Sequence, residues 1–339
     1  MTRVVCLAGV IGLLLSTVPF PTIGCKQEGK IEKQTKINFA TGLAADNEME
    51  VLSRAVRRAV EKRMPQFQVV SVETPGGTAE VIQNVERYDL CGVSLDEAAQ
   101  AYYGFFAWNG EAHPQLRLLW VMGILPVAFL VATDTGIKSI SELAGKPYGN
   151  GGKEGMADFK AAKLLEAFKI KPRWDRNSLT AQVALYKRGR LAGFIKYGAS
   201  EPQLSECNLR RPFIALEISE SELTKTRQRY KGSGLTYPAA VIKAGAYPGQ
   251  EKNIATFGLV MGYYARQDLA SEVAYRLIKA VWQDVWDVSV SYDPLKLDMI
   301  GFPKLTLEYG PFPLHKGAVK FYRELGLKVP DRLLPPEMR

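Results

Sequence analysis

Apolar and polar positions divide the chain into short strands and helices that take turns from residue 36 onward. Residues 36–41 (Lys-Ile-Asn-Phe-Ala-Thr) alternate in character with period two, the signature of a half-buried strand. Met49, Leu52, Val56, Ala59 and Val60 then fall on one stripe at helical spacing, which predicts a helix over 47–62. A strand follows at 67–73, closed by Thr74-Pro75-Gly76-Gly77-Thr78, and a helix at 79–87 for which Thr78 is the expected N-cap. Residues 88–93 form a third strand, and Ser94 leads into a helix at 96–103. This βαβαβ order predicts an α/β fold with an open, largely parallel sheet and helices on both faces.

The same grammar then repeats. Two neighbouring strands are expected at 116–124 and 126–133, with a turn and short helix over 134–144. A second unit begins with a strand at 147–148, a glycine loop at 149–152 and a helix at 155–168. Trp174, a helix at 179–187, a strand at 191–197, a strand at 213–218 and a polar helix at 219–230 complete it. After the break at Gly232 and Gly234, strands at 239–242 and 256–265 precede helices at 270–289 and 316–325. Trp282 and Trp286, four residues apart, should anchor the first of these to the sheet, and the Pro- and Arg-rich end should be loosely held. The long strands at 116–133 and 256–265 can share one sheet, so the chain reads as two lobes. Lobe 1 is discontinuous (36–137 and 236–339), lobe 2 is 138–235, and the two crossovers make a hinge beside an interlobe cleft.

The first 24 residues change the picture of where this body works. Arg3, an apolar run at 4–18 and a small residue before the break form an export signal, and the run is too short to span a bilayer comfortably. Gly24-Cys25 suggests a lipoprotein signal, with the Cys25 thiol acylated and residues 25–35 as a linker. Thr22 stands where Leu or Val is usual, so ordinary cleavage and a retained anchor stay open. Each alternative puts the body outside the cytoplasm, periplasmic or extracytoplasmic, where no ATP or NAD pool exists. Binding, scavenging and extracellular hydrolysis are the surviving classes.

Apolar residues are 47% of the chain and charged residues 23%, an ordinary globular balance, with a formal charge of +9. Arg54, Arg57, Arg58, Lys62 and Arg63 lie on the polar side of one helix, so they read as a solvated face and no nucleic-acid partner is expected. Cys6 and Cys25 belong to the leader; Cys91 and Cys207 should be free and buried, with a disulfide between them the alternative. His113 and His315 are the only histidines, and with no HxxH, HExxH or Cys/His cluster neither a metal nor a cofactor is expected.

Candidate chemistry sits at strand ends: Thr41 and Gly42; Gly76, Gly77 and Thr78; Ser94; Asn150, Gly151, Gly152, Lys153 and Glu154; and Tyr197. Glycine lets a backbone approach a ligand closely, and helix N-termini offer free N–H groups to an anion. One such loop is a common turn; four at the ends of neighbouring strands outline a cleft gripped mainly by main-chain amides. Asn150 and the hydroxyls of Thr41, Thr78 and Ser94 would add side-chain contacts, and Lys153 and Lys196 are candidate counter-charges. The aromatic run at 102–108 suits either packing or a pocket wall. No P-loop, GxGxxG or GxSxG motif occurs, and two histidines in turns do not support a Ser-His-Asp triad, so no enzyme is expected.

Several strings resemble the TAXI family, the extracytoplasmic solute receptors of TRAP transporters. They are Val72-Glu73-Thr74-Pro75-Gly76-Gly77-Thr78, Gly136-Ile137-Lys138-Ser139-Ile140 with Leu143-Ala144-Gly145-Lys146, Ala244-Gly245-Ala246-Tyr247-Pro248-Gly249-Gln250, and Pro313-Leu314-His315-Lys316-Gly317-Ala318. The resemblance implies a type II periplasmic-binding-protein fold. It also implies capture of a small solute, such as an organic acid or amino acid (glutamate, 2-oxoglutarate), and delivery to a membrane permease. The chain departs from the family pattern in its first loop, which has no aromatic residue, and at Gly152-Lys153-Glu154-Gly155, where Gly-Ser-Gly-Thr is usual. It also has Arg190 where an aspartate is customary after Gly189. Ligand identity therefore stays open, as do a sensor in place of a permease and an enzyme on the same scaffold.

Overall fold

A computed structural model describes residues 35–41, 50–152, 155–198, 202–285 and 301–339. The alternating run at the start forms β1 (Thr35–Ala40), which pairs in parallel with β2 (Phe67–Val72) from Thr35↔Phe67 to Ala40↔Val72. Between them α1 (Glu50–Arg63) buries Leu52, Val56, Ala59 and Val60, the stripe expected of it. β3 (Leu90–Ser94) joins the other edge of β1 in parallel, and Ser94 caps α3 (Leu95–Tyr103) by accepting the Glu97 N–H at 3.3 Å. The helix between β2 and β3 differs from expectation. α2 (Gly77–Gln83) begins one residue before Thr78, with Gly76 as its cap, and ends where Asn84 folds back onto the Glu80 carbonyl. A 3-10 turn, Val85–Arg87, follows.

The two strands expected at 116–133 are one 17-residue strand, β4 (Leu116–Ala132). Pro126 reads as a break in sequence, but in the fold it sits where the strand changes partners. Leu116 to Pro126 pair with β10 (Ile254–Arg266), while Val127 to Val131 pair with β7 (Gly193–Tyr197) and Leu130 to Ala132 with β8 (Phe213–Ala215). β5 (Pro147–Gly149) lies parallel between β7 and β6 (Arg173–Asp175), giving the order β2-β1-β3-β10-β4-β7-β5-β6. β9 (Ala239–Ile242) pairs with the first residues of β10. Around this second half run α4 (Met156–Ala167), α5 (Leu179–Lys187), α6 (Pro202–Arg210) and α7 (Glu220–Arg229).

α8 (Ser271–Gln283), α9 (Phe302–Tyr309) and α10 (Lys316–Glu324) close the chain on the first half. Trp282 packs edge-on against Phe302 with centroids 5.4 Å apart; Trp286 lies outside the described residues. The C-terminal end is firmly held, contrary to expectation. Leu333 is buried and its carbonyl accepts the Leu314 N–H at 2.8 Å, and Glu337 pairs with the buried Arg117 at 2.8 Å. Arg332 donates to the Leu307 and Glu308 carbonyls at 2.6 Å, satisfying the open end of α9. The main apolar core runs from Ile37 and Val56 through Trp120 and Phe257 to Leu165, a smaller one gathers Leu130, Tyr186, Phe194 and Phe213, and the described body is a single compact unit. Cys91 in the main core and Cys207 in the smaller one are free and buried, and burial pushes the Cys207 thiol up to about 11. No helix among the described residues is long and apolar enough to cross a membrane.

Candidate functional site

Strand registers place the expected loops face to face. Ser94, at the carboxyl end of β3, lies level with Met261 of β10, and Met261 lies level with Gly123 of β4. From the other half, Tyr197 at the carboxyl end of β7 pairs with Val127 of β4. Gly123 and Val127 are four residues apart, about 13 Å along the strand at ~3.3 Å per residue. The parallel strands of each half therefore aim their carboxyl ends at the middle of β4, the position where open α/β sheets bind ligands. Thr41, the 74–78 loop and Ser94 come from one side; 150–152 and Tyr197 come from the other. Gly42, Lys153 and Glu154 lie outside the described residues.

Four of the loop amides have partners within the chain. Gly151 donates its N–H to Gln182 Oε1 at 2.9 Å, and Gly152 donates to Asn150 Oδ1 at 3.2 Å. Gly76 donates to Glu80 Oε2 at 2.6 Å, and Gly77 to the Thr74 carbonyl at 2.9 Å. Each of these four donors is satisfied inside the chain. Asn150 is likewise a scaffold residue. It is 2% exposed, its Oδ1 also accepts from Gln182 Nε2 at 2.7 Å, and its Nδ2 donates to Asp158 at 3.1 Å. Gly151, with φ of 91°, is held so tightly that a Cβ there would sit 2.5 Å from the Ile195 carbonyl oxygen. Lys196 is buried with its ammonium donating to the Tyr197 carbonyl at 2.7 Å, and the Tyr197 side chain is exposed beside it.

A cavity of about 430 Å³ lies between α3 with its following turn, Phe106–Trp108, and the start of α4. Glu97, Gln100, Trp108, Met156, Phe159 and Arg176 line it, three from each half. Burial raises the Glu97 carboxyl above its ordinary value, opposed by a hydrogen bond to the Thr78 side chain. Arg176 reaches Asp158 Oδ2 at 3.4 Å, and Gln100 Nε2 meets Met156 Sδ at 3.4 Å across the gap.

Next to the cavity the halves are joined by a buried ion pair. Lys160 of α4 places its ammonium 3.0 Å from both Asp96 oxygens, and both side chains are 0% exposed. Lys160 also donates to the Gly258 carbonyl at 2.8 Å; Asp96 accepts from the Thr236 hydroxyl and the Val260 N–H, each at 2.7 Å. Every partner that two buried charges need is present. Burial nevertheless outweighs Asp96 and lowers the lysine's proton affinity. Sequence reading missed Asp96, Glu97, Lys160, Arg176 and Gln182. Lys160 carried a usable signal, a charge within the apolar stripe of Ala157, Ala161 and Leu164; Asp96 and Glu97 look like ordinary acids of a helix's first turn.

A larger cavity, about 750 Å³, lies by Tyr103, Arg227, Tyr230, Tyr237 and Arg332. Tyr103 ends α3, so this space is at the opposite end of that helix from the strand termini. Its guanidinium groups are already committed, Arg227 to Glu220 and the Tyr237 carbonyl and Arg332 to the end of α9.

Two sets of parallel strands, opposed across two long antiparallel strands that pass between them, define the type II periplasmic-binding-protein fold. A TctC solute-binding protein from Polaromonas shares it at a TM-score of 0.54, with 13% identity over 86% of this chain and 98% of that one. MatC from Rhodopseudomonas palustris, solved with bound malate, aligns at a TM-score of 0.49, with 14% identity over 86% and 97% of the two chains. Residues 51–326 match the NMT1-like family, and the chain belongs to that family.

Proposed function

We propose that this protein is an extracytoplasmic receptor that captures a small polar solute between two lobes, 36–137 with 236–339 and 138–235, and hands it to a membrane permease. The observation that carries this reading is the head-on approach of the β3 and β7 carboxyl ends at the middle of β4. β4 and β10 cross between the lobes and serve as the hinge, and closure draws its energy from contacts that a solute makes with both sides at once. In this reading Thr41, Thr78, Ser94 and Tyr197, at or beside the strand ends, contact the solute together with Glu97, Gln100 and Arg176, which line the cavity. The strings resembling TAXI receptors support a TRAP-type permease as the partner and an organic acid or amino acid as the solute. The leader supports export and a lipid tether at Cys25.

The test is mass spectrometry of small molecules released from purified protein, followed by thermal melting with carboxylates and amino acids. A solute at 100 times its Kd stabilises the folded state by about 2.7 kcal/mol. A reversible rise in melting temperature, weakened by Thr78→Ala, is the expected outcome. Release of no small molecule and no shift across the panel would contradict the receptor role.

A further inference from the structure

We infer that the cavity between α3 and α4 receives an organic ammonium group, with the Glu97 carboxylate as counter-charge and the Trp108 and Phe159 rings as walls. The inference rests on the receptor role proposed above and narrows its solute. Among the described residues the Glu97 side chain has one partner, the Thr78 side chain, which is neutral. The cation that shares the cavity, Arg176, is turned to Asp158. The neighbouring acid makes the contrast plain. Asp96, also in the first turn of α3, is given a buried lysine and two further donors. Among the described residues no cation pairs with Glu97, which lines the cavity.

The walls suit the same guest. Trp108 and Phe159 line the space, the Phe159 ring already lies 6.0 Å from the Lys163 ammonium, and aromatic faces attract cations most strongly where water is excluded. Phe106 holds a left-handed backbone, φ 57°, that a phenylalanine adopts only when its surroundings enforce it. Its ring is pinned edge-on against Phe159 at 5.0 Å, which fixes the turn carrying Trp108 against α4. The volume, about 430 Å³, admits a small metabolite. A dicarboxylate without an ammonium would bring its charges against Glu97 and Asp158; an ammonium would meet Glu97 directly, leaving any carboxylate it carries to the Arg176 side.

The experiment is calorimetric titration of the full chain with choline, putrescine and L-lysine. Each is paired with a counterpart lacking the ammonium: 3,3-dimethylbutan-1-ol, butane-1,4-diol and hexanoate. Succinate and 2-oxoglutarate complete the set. At least one ammonium compound should bind ~10-fold or more tightly than its counterpart, the scale of a desolvated ion pair with cation–π support. Glu97→Gln, which keeps the size and shape of the side chain, should erase that preference, and Glu97→Asp should keep part of it. Trp108→Phe should reduce it several-fold. If succinate or 2-oxoglutarate binds while every ammonium compound fails, or if Glu97→Gln leaves an ammonium compound's affinity unchanged, the inference is wrong and the receptor role stands. If neither class binds and no small molecule is released from the protein, both are wrong.

Discussion

The loop after β2 and the loop after β5 look alike in sequence, each a glycine pair between a short strand and a helix, but they are built on different supports. The first is held locally: Glu80, four residues on, takes the Gly76 amide at an exposed position, and Thr74 takes that of Gly77. The second is held from a distance by Gln182, which grips Gly151 and Asn150 and also donates to the Asp175 and Asn177 carbonyls at 3.0 and 2.8 Å. One support is solvated and can be exchanged for water; the other is buried, so its loss leaves donors without partners. A glycine pair at a strand end thus marks a tight approach of backbone without saying what approaches. In the second half the approaching group is a side chain of the same protein.

The contrast can be broken most severely where the halves meet. Lys160→Met keeps the volume but strands Asp96, and unfolding in urea should show a loss of about 3–5 kcal/mol, the cost of an uncompensated buried charge. A loss under ~1 kcal/mol would mean that water reaches Asp96 and that the joint is not sealed. Gln182→Ala should come next, at about 1–3 kcal/mol for unsatisfied buried groups around 150–152. It should also speed hydrogen exchange at Gly151 and Gly152.

A tie remote from both loops gauges what an ordinary polar link contributes. Arg63, then Lys62, hold the Asp284 carboxyl below its usual 3.8. A depressed carboxyl contributes its full stability above the unfolded value and loses it as pH falls through the folded one, so this share disappears below about pH 4. Both bases are substantially exposed, and solvent screening reduces the expected cost of Asp284→Asn at pH 7 to about 1 kcal/mol. The variant should lose less stability than the parent on acidification. Glu80→Ala, at the solvated first loop, should cost no more than about 0.5 kcal/mol. Equal costs for Glu80→Ala and Gln182→Ala would erase the distinction between the two loops.

Much of the framework was legible because local rules agree there. The period-two run of β1, the stripe of α1, and the helix of α5 led by Ser178, whose side chain accepts the Ala181 N–H at 3.3 Å, are set by near neighbours. Pro126 misled because its meaning depends on which strands lie on either side of β4. α6 escaped because its described buried residues are Leu204 and Cys207 in a polar stretch, too thin a stripe to register. Strand ends as the expected place for a site follow from the α/β order alone. The groups that shape the cavity do not, because Gln182 acts on a residue 31 positions earlier and Lys160 on one 64 positions earlier. Nothing local to a helix's first turn distinguishes Asp96, which is paired with Lys160, from Glu97, which among the described residues has no cationic partner.

The central claim is that one guest is held by both halves at the strand ends. Hydrogen exchange with and without a solute found by the melting screen tests it most directly. The account predicts slowed exchange in two places together, the start of α3 around Glu97 and the start of α4 around Met156. Protection confined to one half, or centred on the cavity by Tyr230 and Arg332, would contradict it.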